Sequence, residues 1–92
     1  MDFSEFEVIQ KIRKSAAAIR RYEKELAKLE KALSENQLLA QRLGLDKSAE
    51  SQALRASEEV AVQSMRTKLA EMKVAHNNFV HEHGFGSELF PA

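Results

Sequence analysis

Three histidines, five phenylalanines and a run of basic residues are the side chains here whose types and spacing could do chemistry. His76, His81 and His83 gather late in the chain. Metal binding would need carboxylates on the same helix face, and only Glu82 is close, at an unhelpful angle, so no metal or other cofactor is expected. On helical spacing His76 falls opposite Ser15. That reads as a hydrogen-bonded polar position fixing alignment, as a buried asparagine does in a coiled coil. There is no cysteine, no serine with a plausible base, no carboxylate pair in a cleft and no cofactor fingerprint, so a non-enzymatic chain is expected.

The aromatic residues divide between the two ends of the sequence. Phe3 and Phe6 lie at one end and Phe79, Phe85 and Phe90 at the other, with Val8, Val80 and Leu89 nearby. Antiparallel folding would bring them all to one place. Aromatic side chains bury large areas and dominate both cores and interfaces, so the cluster has two possible uses. Phe85 and Phe90 could fold back on the others and close the end as a small core. Alternatively, Phe3, Phe6, Phe79, Phe85, Leu89 and Phe90 form a docking patch for another protein, with the segment from Phe85 to Phe90 as a detachable anchor.

Between Lys11 and Lys31 there are eight basic residues against Glu23, Glu25 and Glu30. Arg13, Arg20, Arg21, Lys24 and Lys28 fall on the side opposite the apolar stripe, as a solvated face or as an anion-binding stripe for nucleic acid or nucleotide. Three features weigh against nucleic acid. The net charge is zero, no aromatic interleaves with the bases on that face, and no glycine-rich phosphate loop exists.

Long helices must position all of these groups. From Val8 onward Ile12, Ser15, Ile19, Tyr22, Leu26, Leu29 and Leu33 recur at steps of three and four, and Val62, Met65, Leu69, Met72, His76 and Phe79 do the same. Pairing Ile12 with Phe79, Ile19 with Met72, Leu26 with Met65 and Leu29 with Val62 matches every step forward on one stripe to a step back on the other. That is an antiparallel pair. Gly44 is placed to end the first helix in a left-handed Schellman turn, and Asp46 to cap the second. The expected fold is an all-α, coiled-coil-like two-helix hairpin forming one domain, residues 1–92. Helix one covers about 4–43, starting at Ser4, the turn is 44–46, and helix two covers about 47–83. A glycine-broken, non-helical tail, 84–92, follows.

Near the turn the seam degrades: Leu33 would face Glu58, Asn36 Arg55, and Ala40 Ser51. A second apolar line, Ala49, Ala53, Ala56, Val60, Ala70 and Val74, runs on the other side of helix two, while Ile9, Ala16, Ala27 and Leu38 lie off the stripe of helix one. A lone hairpin this small is a weak core, so self-association is expected, most simply a dimer forming a four-helix bundle or a higher oligomer.

No run of about 18 apolar residues occurs, so no membrane span is expected. The acidic start Met-Asp-Phe-Ser-Glu carries no secretory signal, which makes the cytoplasm the default location. The functional expectation is a protein–protein interaction module: an adaptor, small chaperone or inhibitor acting through its aromatic end and helix faces. Nucleic-acid or nucleotide binding by an oligomer, and a purely structural oligomer component, are the alternatives.

Overall fold

In a computed structural model, residues 4–91 are described. They form helix α1, Glu5–Arg42, helix α2, Ala49–Glu82, and a single 3-10 turn, Gly86–Glu88. No strand occurs among the described residues, and the fold is the all-α helical hairpin.

Local chemistry sets the ends of each helix. The Ser4 hydroxyl accepts a hydrogen bond from the Glu7 amide at 3.2 Å, and Glu5 and Glu7 stand in the first turn, at the positive end of the dipole. Thirty-eight residues without glycine or proline then follow as one helix. It stops in a Schellman turn: the Leu45 amide bonds to the Ala40 carbonyl at 2.8 Å and the Gly44 amide to the Gln41 carbonyl at 3.1 Å. Gly44 has φ +72°, the left-handed region that a Cβ disfavours.

Helix α2 starts two residues later than expected, because its cap is Ser48 and not Asp46. The Ser48 hydroxyl accepts from the Ser51 amide at 3.1 Å and donates to the Leu45 carbonyl at 3.0 Å, so one side chain ties both sides of the turn. A second Schellman turn ends α2, with Phe85 bonded back to Val80 and Gly84 at φ +77°. The tail beyond it, expected to be non-helical, makes the 3-10 turn closed by the Glu88 amide on the Phe85 carbonyl.

The chain divides into two compact units, Met1–Glu23 with Lys68–Ala92, and Lys24–Thr67. In the first, Val8, Ile12, Ala16, Ile19, Leu69, His76 and Val80 are buried. Two residues differ from the sequence-based expectation. Ala16 belongs to the core and not to an outer line. Val80, fully buried, takes the place expected for Phe79, which packs from the side onto the Val8–Ile12–Val80 cluster. Valine fits between the helices where the ring of Phe79 would hold them apart, so a step of four from His76 replaces the step of three.

In the second unit Leu26 and Val62 are buried and Leu29, Leu33 and Met65 half-buried. Closer to the turn, the facing positions are polar or small, as the failing seam suggested. Leu33, Asn36, Ala40, Ser51, Arg55 and Glu58 line an open groove of about 540 Å³.

Candidate functional site

Two places gather side chains that could act on something else, one in each unit. In the unit containing both termini, the tail runs back along α2 as a strap. His76, only 3% exposed, bonds through Nδ1 to the Ser15 hydroxyl and through Nε2 to the Glu88 backbone carbonyl, both at 2.8 Å. A carbonyl only accepts, so Nε2 carries the proton and donates; in the neutral ring Nδ1 then accepts from Ser15. The next residue completes the seat. The Asn77 amide donates to the Phe90 carbonyl and accepts from the Phe90 N–H, each at 2.8 Å. One side chain thus satisfies both backbone groups of one tail residue, as a neighbouring strand would. The Phe90 ring and the His76 imidazole meet in a T-shaped contact with 5.0 Å between centroids, and the Arg20 guanidinium lies 5.8 Å from the centre of the Phe90 ring.

The expected Ser15–His76 alignment is therefore present. The 2.8 Å bond also gives Ser15 a histidine partner, where the sequence had offered no serine with a plausible base. It does not face a cleft: both imidazole nitrogens are engaged and the Phe90 ring lies against the histidine. Among the described residues no group of three or more histidine, cysteine, aspartate or glutamate side chains is placed to hold a metal ion.

The aromatic residues separate into two sets. Phe85 is half-buried against Val8, Ile12 and Val80, and Phe90 is held by the strap. Phe79 lies 4.5 Å from the His83 ring, with the Lys11 ammonium 4.6 Å over its face. Phe6 points outward, 69% exposed, and Leu89 is 47% exposed. Phe3 is outside the described residues. The structure thus joins Phe79, Phe85 and Phe90 to the folded end and leaves Phe6 and Leu89 at the surface.

Arg13, Arg20, Arg21, Lys24 and Lys28 are all exposed. Arg20 serves Phe90, and Lys28 pairs with Glu25 on its own helix at 3.5 Å.

In the Lys24–Thr67 unit the groove is lined by polar and apolar side chains together. Arg66 bonds to Glu30 through Nε and a terminal nitrogen at 3.2 and 3.0 Å, which marks one flank as polar. Ser34, Gln37, Glu59 and Gln63 follow this pair at helical spacing. Leu54 also lines the groove, one turn from Glu58, while Leu39 and Leu43 stand exposed outside it.

No protein-family model, curated protein or solved structure matches this chain.

Sequence reasoning missed the part played by Asn77. Its one signal was a pair of asparagines, poor helix formers, set within the last turns of a helix. Which face they occupied, and that the tail would return to meet one of them, was not encoded in the local pattern.

Proposed function

We propose that the chain is a non-enzymatic protein–protein interaction module of the cytoplasm, a hairpin that self-associates and presents its exposed apolar side chains to a partner protein. One observation carries this reading. Among the described residues nine large hydrophobic side chains stand exposed, against eight hydrophobic residues in the core. Single exposed leucines are ordinary on any surface, but five of these nine, Leu38, Leu39, Leu43, Leu45 and Leu54, gather around the turn. The groove also argues for binding rather than catalysis. Its serines, Ser34 and Ser51, have no histidine among the lining residues, and Glu30 is paired with Arg66. No helix among the described residues is long and apolar enough to cross a membrane.

Phe6 and Leu89 are the partner-facing residues in this reading, while Phe79, Phe85 and Phe90 support them from within. Photoreactive side chains placed at Phe6 or Leu89 in the native cell are expected to crosslink one defined protein. The same group at Gln63 should not. Equal crosslinking from all three positions, or none from any, would remove the proposal.

A further inference from the structure

We infer that the seat holding the tail against α2 is a peptide-recognition site, whose ligand is an extended segment of another protein in which an aromatic residue precedes a proline. The chain's own tail is a built-in competitor for that segment. This rests on the interaction reading above and names the chemistry of one partner.

The tail itself shows what the seat reads. Three hydrogen bonds from α2 side chains reach it, and all go to backbone. The His76 Nε2–H donates to the Glu88 carbonyl, and the Asn77 side chain takes both the N–H and the carbonyl of Phe90. Backbone groups are the same in any chain, so these bonds do not require this particular tail. Phe90 alone lends its side chain, half-buried between the His76 ring and the Arg20 guanidinium, while the side chains of Glu88 and Leu89 stay exposed. Pro91 follows, and a residue before proline is held toward extended backbone. There the N–H and C=O of one residue face the same side, as the Asn77 amide requires. An aromatic–proline pair in an extended stretch is thus the chemistry that fits.

The tail can leave without taking the fold with it. Helix α2 closes with its own Schellman turn, and Phe85 packs on the Val8–Ile12–Val80 core, before the bonds of the seat begin. An empty seat is unfavourable, because His76 is 3% exposed and its Nε2–H would lose its acceptor, so an occupant is favoured. Effective concentration decides which occupant. A short tether presents the tail at about millimolar effective concentration. The tail of a second copy offers the same contacts from dilute solution and loses to its tethered twin. A segment of a different protein that binds more tightly than the tail displaces it, and the tether sets the affinity such a partner must exceed.

An NMR titration of the isotopically labelled full chain with an unlabelled peptide of residues 87–92 is the direct test. Phe90→Pro in the chain opens the seat, because it deletes the ring and the N–H that donates to Asn77. Read at the Asn77 side-chain amide, the opened chain should bind the peptide at least about tenfold more tightly than the wild type, whose tail competes. Adding Asn77→Ala to the opened chain should weaken binding about 30-fold. Replacing the phenylalanine of the peptide with alanine should weaken it at least about tenfold. Circular dichroism checks that each variant stays helical, and Phe90→Ala serves as the opened chain if the proline variant does not. Asn77 resonances that stay still at millimolar peptide, equal affinity in opened and wild-type chains, or indifference to Asn77→Ala would overturn the inference. Contacts between Phe90 and His76 of different molecules, in a mixture of differently labelled wild-type chains, would give the seat to a second copy and overturn it too. A protein crosslinked from Phe6 to a chain whose seat takes no peptide sinks the seat alone. A seat that takes the peptide, with no such crosslink, sinks only the partner surface at Phe6 and Leu89.

Discussion

Replacing Asn77 with alanine tests how the tail is held. The substitution deletes both hydrogen bonds to Phe90, each 2.8 Å long and partly buried. At about 1 kcal/mol net per bond, tail docking should weaken by about 2 kcal/mol. The His76–Glu88 bond and the packing of Phe85 remain, so the loss is confined to the last residues. Global stability should change by less, because alanine is the better helix former and recovers several tenths of a kcal/mol in α2. Amide hydrogen exchange followed by NMR is the suitable assay. Protection of the Phe90 amide should fall about 30-fold, since about 1.4 kcal/mol corresponds to a factor of ten, while amides in the middle of α2 change little. Asn77→Asp keeps the acceptor for the Phe90 amide, loses the donor and sets a carboxylate against the Phe90 carbonyl. It should therefore release the tail at least as strongly. Phe90 protection within about threefold of wild type in both variants would show that the paired amide contact does not hold the strap.

Four further outcomes follow from the same structure. Ile19→Ala, at a position 1% exposed, should cost about 2–4 kcal/mol in chemical denaturation, as cavity-forming core changes do. Gly44→Ala meets no neighbouring atom, so only the positive φ resists it, and a loss of about 1–2 kcal/mol is expected in the same assay. Glu30→Gln removes an exposed ion pair and should change stability by less than about 1 kcal/mol; a larger loss would mean the pair organises the groove. For the basic residues, fluorescence anisotropy with a labelled oligonucleotide at low salt should show no tight binding. Affinity that falls steeply with salt and disappears on reversing Arg20, Arg21 and Lys24 to glutamate would establish the nucleic-acid alternative.

The hairpin itself is legible in the amino-acid sequence because its determinants are local. Ser4 caps where a hydroxyl precedes a helical stretch, Gly44 turns where only a glycine adopts φ +72° without strain, and a step of three or four keeps one face inward. The failing seam near the turn is readable for the same reason: Asn36 and Arg55 cannot form a dry contact whatever surrounds them. Ser15 and His76 can be matched because their spacing to the turn is equal along two regular helices.

Tertiary structure decided the rest, where local rules leave near-equal choices. Phe79 and Val80 both satisfy the periodicity, and only packing against Val8 and Ile12 chose the smaller side chain for the centre. The cap of α2 is Ser48 rather than Asp46 because a hydroxyl both donates and accepts, and so serves the turn and the helix together. The sequence allowed Phe85 and Phe90 to fold back, but nothing local foretold the bonds that hold the strap, since they join side chains of α2 to the backbone of a segment more than ten residues further on. With the strap in place Phe85 and Phe90 turn inward and Phe6 and Leu89 stay in water. A choice of that kind depends on where the chain returns in space, which no short window of sequence contains.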